Sequence, residues 1–447
     1  MATAQPVLAA EARPGLGRRA GLLVVEVAPP LVVALLVLPL IIAYSHYRPW
    51  HPNTIDLQVY VYAVKDMLAG RDIFATTTPG WNLYFIYPPI AAVLMTPLAF
   101  GPYLFWQLAW TTALVGAQQS VLRRCGVPRG WKLALVGLAV VVAVEPVRTT
   151  LGYGQVNTLL MAMVVADLLP PVPGAEGGRR RIPRGALIGL AAAIKLTPAL
   201  FVVFALLLGK RRLAVTGMIS FAVFTGIGAL LLPHQTAVFF GGLSGGDTRT
   251  ASPLYVGNQS LLGVFFRLGD TSRGTTLVGL GVAGLVALLG TFVAAHWWRQ
   301  GQRVFAVALV GLCTCLASPL SWTHHYVYVV PMGVAVLIAA VPRWTRVLAG
   351  VWVLWVCACL PLAALPYGNG AERGYTALQE VVANLGPVLG VLLVVALGWH
   401  LVVTTRRGSG PRHAVRRNGK PVEAVVALPH RPQHAAADSA RPPGASD

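Results

Sequence analysis

"RGALIGLAAAIKLTPALFVVFALLLGKRR", Arg184–Arg212, decides the architecture. Its apolar residues 186–209 are bounded by two basic clusters, "GGRRRIPRG" at Gly177–Gly185 and "KRR" at Lys210–Arg212, and carry Lys195 and Pro198 near their middle. Basic residues beside membrane segments gather on the cytoplasmic side, so a single span would strand one cluster outside. A re-entrant hairpin keeps both clusters inside and puts its tip, "IKLTP", near mid-membrane. Non-helical backbone at that depth is tolerated only against protein or a water-filled cavity. Lys195 is therefore predicted to face a polar cavity.

The whole chain supports a membrane setting. Its 447 residues are 56% hydrophobic and 11% charged, with mean hydropathy +0.66; a soluble domain carries about 25% charged residues. Apolar stretches of about 20 residues recur, each long enough to cross the hydrocarbon core. The short alternating segments of a β-barrel are absent. The net charge of +20 would point to nucleic acid in a soluble protein, but here the basic residues cluster on one side of the membrane, so no nucleic-acid partner is expected. Cys125, Cys313, Cys315, Cys357 and Cys359 lie in or beside apolar runs without zinc-type spacing and read as small hydrophobes. The first apolar run is too long for a cleavable signal and reads as a retained span.

The pattern predicts an all-α polytopic membrane protein. A basic cytoplasmic N-terminus (1–20) precedes a membrane domain (21–405), and a basic, Pro-rich tail (406–447) reads as disordered. Spans are placed at about Leu22–Tyr44, Tyr103–Leu122, Leu133–Val147, Val156–Leu169, Leu213–Leu232, Thr275–Ala295, Val304–Ala317, His324–Val341, Arg346–Leu362 and Val388–Val403. With the hairpin, this gives about ten full spans, or about 12 membrane helices counting both hairpin arms. Both termini are then cytoplasmic. A first outer loop (45–102) holds an amphipathic helix with Leu57, Tyr60, Val61, Val64, Met67 and Leu68 on one face. It also holds a segment broken by Pro88, Pro89 and Pro97, read as a partial insertion. "GGLSGG", Gly241–Gly246, lacks the lysine of a phosphate-binding loop and reads as an outer loop.

Polar residues at or near membrane depth converge on the outer face. Asp56 follows the first span, Tyr87 precedes the double proline, and Glu145, Arg148, Gln155 and Asn157 surround the next outer turn. Asn258 and Gln259 lie in a further outer loop; Ser321, Trp322, His324 and His325 stand at the outer start of a span. A cavity combining a carboxylate, cations and imidazoles suits an anionic lipid-linked substrate and removal of a hydroxyl proton. Taken singly, Asp56 also suits a helix cap, Glu145 and Arg148 a mutual pair, and the histidines an interfacial belt.

Taken in order, "IDLQVY", "YPPIAAV", "EPVRTTLGYGQVN", "IKLTPA", "NQS" and "SPLSWTHHYVYVVP" resemble the glycosyltransferase family 87 mannosyltransferases of actinobacteria, over about residues 50 to 335. The resemblance implies a GT-C fold with an outer-face cavity in the plasma membrane. It also implies transfer of mannose from polyprenyl-phosphate-mannose to a glycolipid, with inversion to an α-1,2 linkage. Implied acceptors are phosphatidylinositol mannosides or lipomannan. "GYGQ" (Gly152–Gln155) and "NQSLLG" (Asn258–Gly263) replace the "DYGQ" and "NQSWRG" of the phosphatidylinositol-mannoside branch, which leaves the acceptor open. On this resemblance Asp56 is the candidate base. His324, His325, Lys195 and Arg148 are candidates for the leaving phosphate. Gln155, Asn157, Asn258 and Gln259 are candidates for sugar hydroxyls, and Tyr87 and Trp322 for stacking on a sugar face. No metal or cofactor is expected. Two rivals stand beside it: a polyprenyl-phosphate-arabinose arabinofuranosyltransferase, and a lipid-linked-saccharide transporter, which should show inverted repeats and a polar path reaching both faces.

Overall fold

A computed structural model describes residues 28–29, 31–37, 54–75, 77–80, 82–170, 182–245 and 252–408. The N-terminal basic segment, most of the first apolar run, most of the basic loop before Gly185 and the tail lie outside the described residues. The described chain is helical, and its β-pairing is confined to two isolated bridges, Thr77 with Tyr84 and Asn258 with Trp322. In chain order the α-helices are α1 (Ile55–Leu68), α2 (Pro89–Leu94), α3 (Tyr103–Arg124), α4 (Trp131–Ala143), α5 (Glu145–Tyr153), α6 (Asn157–Leu168), α7 (Ala186–Ile194), α8 (Leu200–Leu207), α9 (Arg211–Leu231), α10 (Pro233–Gly245), α11 (Leu261–Leu268), α12 (Arg273–Arg299), α13 (Arg303–Ala317), α14 (Val329–Ile338), α15 (Arg343–Ala358), α16 (Leu360–Ala364) and α17 (Ala377–Gly408).

Among the described residues three helices are long and apolar enough to cross a bilayer: Arg211–Leu231, Arg273–Arg299 and the Ala377–Thr404 part of α17. Large apolar side chains stand exposed on them, among them Leu230, Leu285, Phe292, Leu392 and Val395. Water would penalise such a surface, whereas lipid requires it. Other expected spans are shorter or broken. The expected span Leu133–Val147 bends by 84° between α4 and α5, because Val144 is extended and Pro146 can sit only in the first turn of a new helix. The segment expected at His324–Val341 begins as a 3-10 turn, Thr323–His325, before the ten-residue α14. "GGLSGG" is a correction: a helix opened by Pro233 runs through Gly245.

The Lys195 segment folds back on itself. A Cβ on Gly185 would fall 2.1 Å from Leu213 O, and one on Gly189 would fall 2.2 Å from Gly217 O. Bare glycines therefore let α7 lie directly on the start of α9, as small residues do in membrane helix pairs. The second arm, α8, brings Val202 back against Gly217 before α9 begins at Arg211. Both arms thus have their feet at the N-terminal end of α9. The tip is Lys195, extended at φ −152°, followed by the 3-10 turn Thr197–Ala199.

Candidate active site

The site begins with how α1 starts. Its N-cap is Thr54, a non-glycine residue at φ +48°. That conformation is costly and persists only where surroundings hold it. Here Thr54 N–H donates to Gly152 O at 2.9 Å. Its hydroxyl accepts from Gln107 Nε2 at 3.0 Å and lies 2.7 Å from Tyr103 OH. Because Thr54 occupies the N-cap, Asp56 is not the cap; it stands in the first turn, where the helix dipole favours negative charge.

Asp56 meets the turn after α5. Gly154 closes that helix at φ +72°, with no room for a side chain: a Cβ would fall 2.8 Å from Leu57 Cβ. The next residue, Gln155, donates from Nε2 to Asp56 Oδ2 at 2.7 Å. Its Oε1 accepts from Tyr87 OH at 2.6 Å and from Tyr60 OH at 3.2 Å. Two hydroxyls therefore fix the amide with its nitrogen toward the carboxylate. Burial pushes the Asp56 carboxyl up to about 6, against the Gln155 hydrogen bond and the Lys195 charge, which pull it down. A carboxylate of that strength is suited to take a proton near neutral pH.

On the other side stands Lys195. Its Nζ donates to Asn157 Oδ1 at 3.1 Å, lies 3.0 Å from His325 Nε2, and sits 5.6 Å from the centre of the Tyr87 ring. His325 Nδ1 accepts from the Trp322 backbone N–H at 3.2 Å. The carbonyl of His324 is held by Thr150 Oγ1 and Asn157 Nδ2, both at 3.0 Å. His324 itself is buried, and its Nε2 has no hydrogen-bond partner among the described residues. A carboxylate, an amine and two imidazoles are thus brought together by α1, the α5–α6 turn, the hairpin tip and the Thr323–His325 turn.

Other expected residues take different places. Tyr87 is buried and bonded through its hydroxyl, with ring edges toward Tyr60 at 5.5 Å, so it is a wall of the site rather than a sugar platform. Asn258, Gln259 and Ser321 are buried and committed to the protein. Asn258 Oδ1 accepts from the N–H groups of Ser260 and Ser321, and Gln259 Nε2 donates to Val256 O and Ala383 O. Ser321 Oγ donates to Cys315 O. These residues stitch the "NQS" turn to the histidine segment through Asn258, the Gln259 amide nitrogen and Ser321. Glu145 accepts from Thr149 at 2.7 Å and Thr323 at 3.2 Å, while Arg148 turns back to Val142 O at 2.8 Å. The two hydrogen-bond elsewhere rather than to each other, and the Arg148 hydrogen bond stays within its own turn. Trp322 is half-buried, with its ring edge-on to Tyr255 at 5.4 Å, and Tyr255 in turn meets Tyr367.

Sequence reasoning missed Tyr60, Thr150 and Thr323. Tyr60 lay inside an apolar stripe that reads as core, and no pattern in the chain marks its hydroxyl as a partner of Gln155. Among the described residues no three His, Cys, Asp or Glu side chains gather as a metal site.

A half-buried carboxylate beside a lysine–histidine pair, set among helices with lipid-type surfaces, marks a helical membrane protein whose site can couple proton uptake to anion stabilisation. Comparison with known proteins gives the family. The chain belongs to glycosyltransferase family 87, whose profile matches residues 85–319. It is 30% identical over 414 residues to the polyprenol-phosphate-mannose-dependent alpha-(1-2)-phosphatidylinositol pentamannoside mannosyltransferase of Mycolicibacterium smegmatis, covering 86% of this chain and 93% of the relative. A Mycobacterium tuberculosis protein of the same description is 33% identical, over 65% of this chain and 68% of its own length. A phosphatidylinositol mannoside mannosyltransferase of that organism is 30% identical, over 66% and 72% respectively. No solved structure matches the chain.

Proposed function

We propose that the protein transfers mannose from polyprenyl-phosphate-mannose to the 2-hydroxyl of a mannose on a phosphatidylinositol mannoside, at the outer face of the plasma membrane, forming an α-1,2 linkage. One observation carries the reading: the Asp56 carboxylate and the Lys195–His325 pair are joined through Gln155 and Tyr87 in a single cluster. In the reaction, Asp56 takes the proton of the acceptor hydroxyl as its oxygen attacks the anomeric carbon of the β-linked donor. The bond from that carbon to the phosphate oxygen breaks, and the electron pair leaves with polyprenyl phosphate. Attack opposite the leaving group inverts the centre in one displacement, as in inverting glycosidases, and needs one base. The Lys195 amine and the Nε2 atoms of His325 and His324 stand ready to hydrogen-bond the phosphate as its charge develops. Trp322 and Tyr255 offer an aromatic edge for the acceptor sugar. The chemistry needs no cofactor beyond the lipid-linked sugar itself.

The test uses protein purified into nanodiscs, radiolabelled polyprenyl-phosphate-mannose, and a panel of phosphatidylinositol mannosides and lipomannans. Wild type should transfer mannose to a phosphatidylinositol mannoside. Asp56→Asn, at least as stable as wild type by thermal melting, should lose about 100-fold or more in kcat, as removal of a general base does. Consumption of polyprenyl-phosphate-arabinose instead would overturn the donor, and donor flipping without transfer would make the protein a transporter. An active Asp56→Asn variant would move the base elsewhere.

A further inference from the structure

The feet of the hairpin carry a second concentration of charge. Its second arm, α8, ends where Gly209 turns the chain at φ +71° and the Lys210 N–H returns to Ala205 O at 2.9 Å. From that turn Lys210 Nζ stands over the Trp298 ring, 5.0 Å from its centre. Arg303, at the start of α13, brings its guanidinium carbon to 5.7 Å from the centre of the same ring. Trp298 is buried, with its ring edge-on to Phe204 of α8 at 5.7 Å. Its neighbour Arg299, the last residue of α12, donates to Leu207 O at the end of α8. Arg184, which leads into the first arm, is exposed and near enough for its charge to act on Lys210.

Among the described residues no carboxylate pairs with these cations, and the single ion pair is Arg71 with Asp66. Asp167, on the neighbouring α6, is wholly buried and accepts from the Ile188 N–H at 2.9 Å. Partial burial, and after it the charges of Arg184 and Arg303, draw the Lys210 amine below its ordinary value. Like charges gathered in this way repel one another unless an anion sits among them. Topology asks only that basic residues lie on one side of the membrane. It does not ask that cations from separate stretches of sequence converge on one indole.

The surroundings name the kind of anion. Leu206, in the last turn of α8, and Val215, in the second turn of α9, stand exposed on either side of Lys210 in the chain. An occupant therefore meets cations at one end and lipid-type surface at the other, which suits a phospholipid and not a free phosphate. We propose that this cluster binds the phosphate of an anionic phospholipid in the inner leaflet, whose headgroup ties both feet of the hairpin to the corner between α12 and α13. Basic pockets between membrane helices on the cytoplasmic side hold lipid headgroups in the same way. Only the choice of leaflet rests on the proposed orientation.

Native mass spectrometry of the protein in a neutral detergent tests this, with phosphatidylglycerol and phosphatidylcholine of matched acyl chains as probes. Wild type should retain phosphatidylglycerol at least 10-fold more tightly. Each basic residue near an anionic headgroup contributes about fivefold, so Lys210→Gln combined with Arg303→Gln should weaken retention roughly 10- to 30-fold. Phosphatidylglycerol should also raise the melting temperature of wild type and not that of this pair. Arg129→Gln combined with Lys132→Gln removes two exposed charges from the loop between α3 and α4 and should leave retention within twofold. Lys210→Arg combined with Arg303→Lys keeps the charge and should stay within about threefold, which guards against a folding defect in the glutamine pair. Equal retention of the two lipids, or undiminished retention by the glutamine pair, would mean that the cations only set topology. Displacement of the lipid by glycerol phosphate in large excess would mean a soluble phosphate compound uses the site. Each of these results overturns the proposal. The readout needs no substrate, so a failure of mannose transfer would strike the proposed function and leave this site standing.

Discussion

Gln155 turns its amide nitrogen to Asp56 Oδ2 at 2.7 Å while Tyr87 and Tyr60 hold its oxygen. The base is therefore oriented by a residue that itself cannot flip without breaking two hydroxyl contacts. Gln155→Leu keeps the volume and removes this support. A hydrogen bond to a charged group contributes about 1.5–3 kcal/mol, so kcat should fall roughly 10- to 100-fold. Donor KM should change little, because Lys195 and His325 are untouched. Steady-state kinetics on the nanodisc protein checks the split.

The pH dependence follows from Asp56. Its carboxyl is held at about 6, above the ordinary 3.8, chiefly by burial. Only the ionised form accepts a proton, so kcat/KM should rise as pH increases through about 6. Gln155→Leu and Lys195→Met each remove something that lowers this value, and both should move the inflection upward. Stability runs the other way. A carboxyl with a raised folded-state value favours the folded state below 3.8 and loses that contribution as pH rises through about 6. Asp56→Asn should therefore melt higher than wild type at pH 7.5, with the gap closing by pH 4.

The hairpin was legible because charge asymmetry is a topological constraint: two basic clusters around Lys195 admit few paths through a bilayer. Asp56, Gln155, Asn157, Lys195 and His325 stood out because polar groups at membrane depth are costly and so are placed for a reason. That same cost hides the reason. Asn258, Gln259 and Ser321 are equally polar and are buried in the protein, yet they serve the backbone of neighbouring segments. Periodicity ranked Tyr60 as core, correctly, but could not show that its hydroxyl reaches Gln155. The bend between α4 and α5 had its signal in Pro146, which the apolar run around it masked.

The stitching role of Asn258 has its own consequence. Asn258→Ala leaves the buried N–H groups of Ser260 and Ser321 without their acceptor. Each orphaned group costs about 1–3 kcal/mol. Thermal melting should register a clear loss, and activity per folded molecule should fall through kcat as the histidine segment loosens. A selective rise in acceptor KM with unchanged stability would restore the sugar-contact reading.

Hairpin packing offers a more remote test. Gly189→Ala places a methyl 2.2 Å from Gly217 O, where neither backbone can yield easily. Overpacking of this kind costs about 1–3 kcal/mol. The melting temperature should drop, and kcat should drop with it because Lys195 rides at the end of the displaced arm. Gly226→Ala, on α9 with nothing within 4 Å of its Cβ, should be neutral in both measurements.

Lys195 separates leaving-group stabilisation from simple packing. Its amine bridges Asn157 and His325, and removing it as Lys195→Met keeps the stem while deleting both contacts. If the amine stabilises charge developing on the phosphate, kcat should fall by about 100-fold or more, on the scale of losing one such donor. The fall should depend on the leaving group. A donor whose phosphate is replaced by a better-leaving aryl phosphate diester needs less help, so the wild-type-to-variant ratio should shrink with it. A purely structural lysine would depress both donors equally. Lys195→Arg should recover part of the rate with the polyprenyl-phosphate donor, since charge is retained while the planar guanidinium cannot reproduce a point donor between Asn157 and His325.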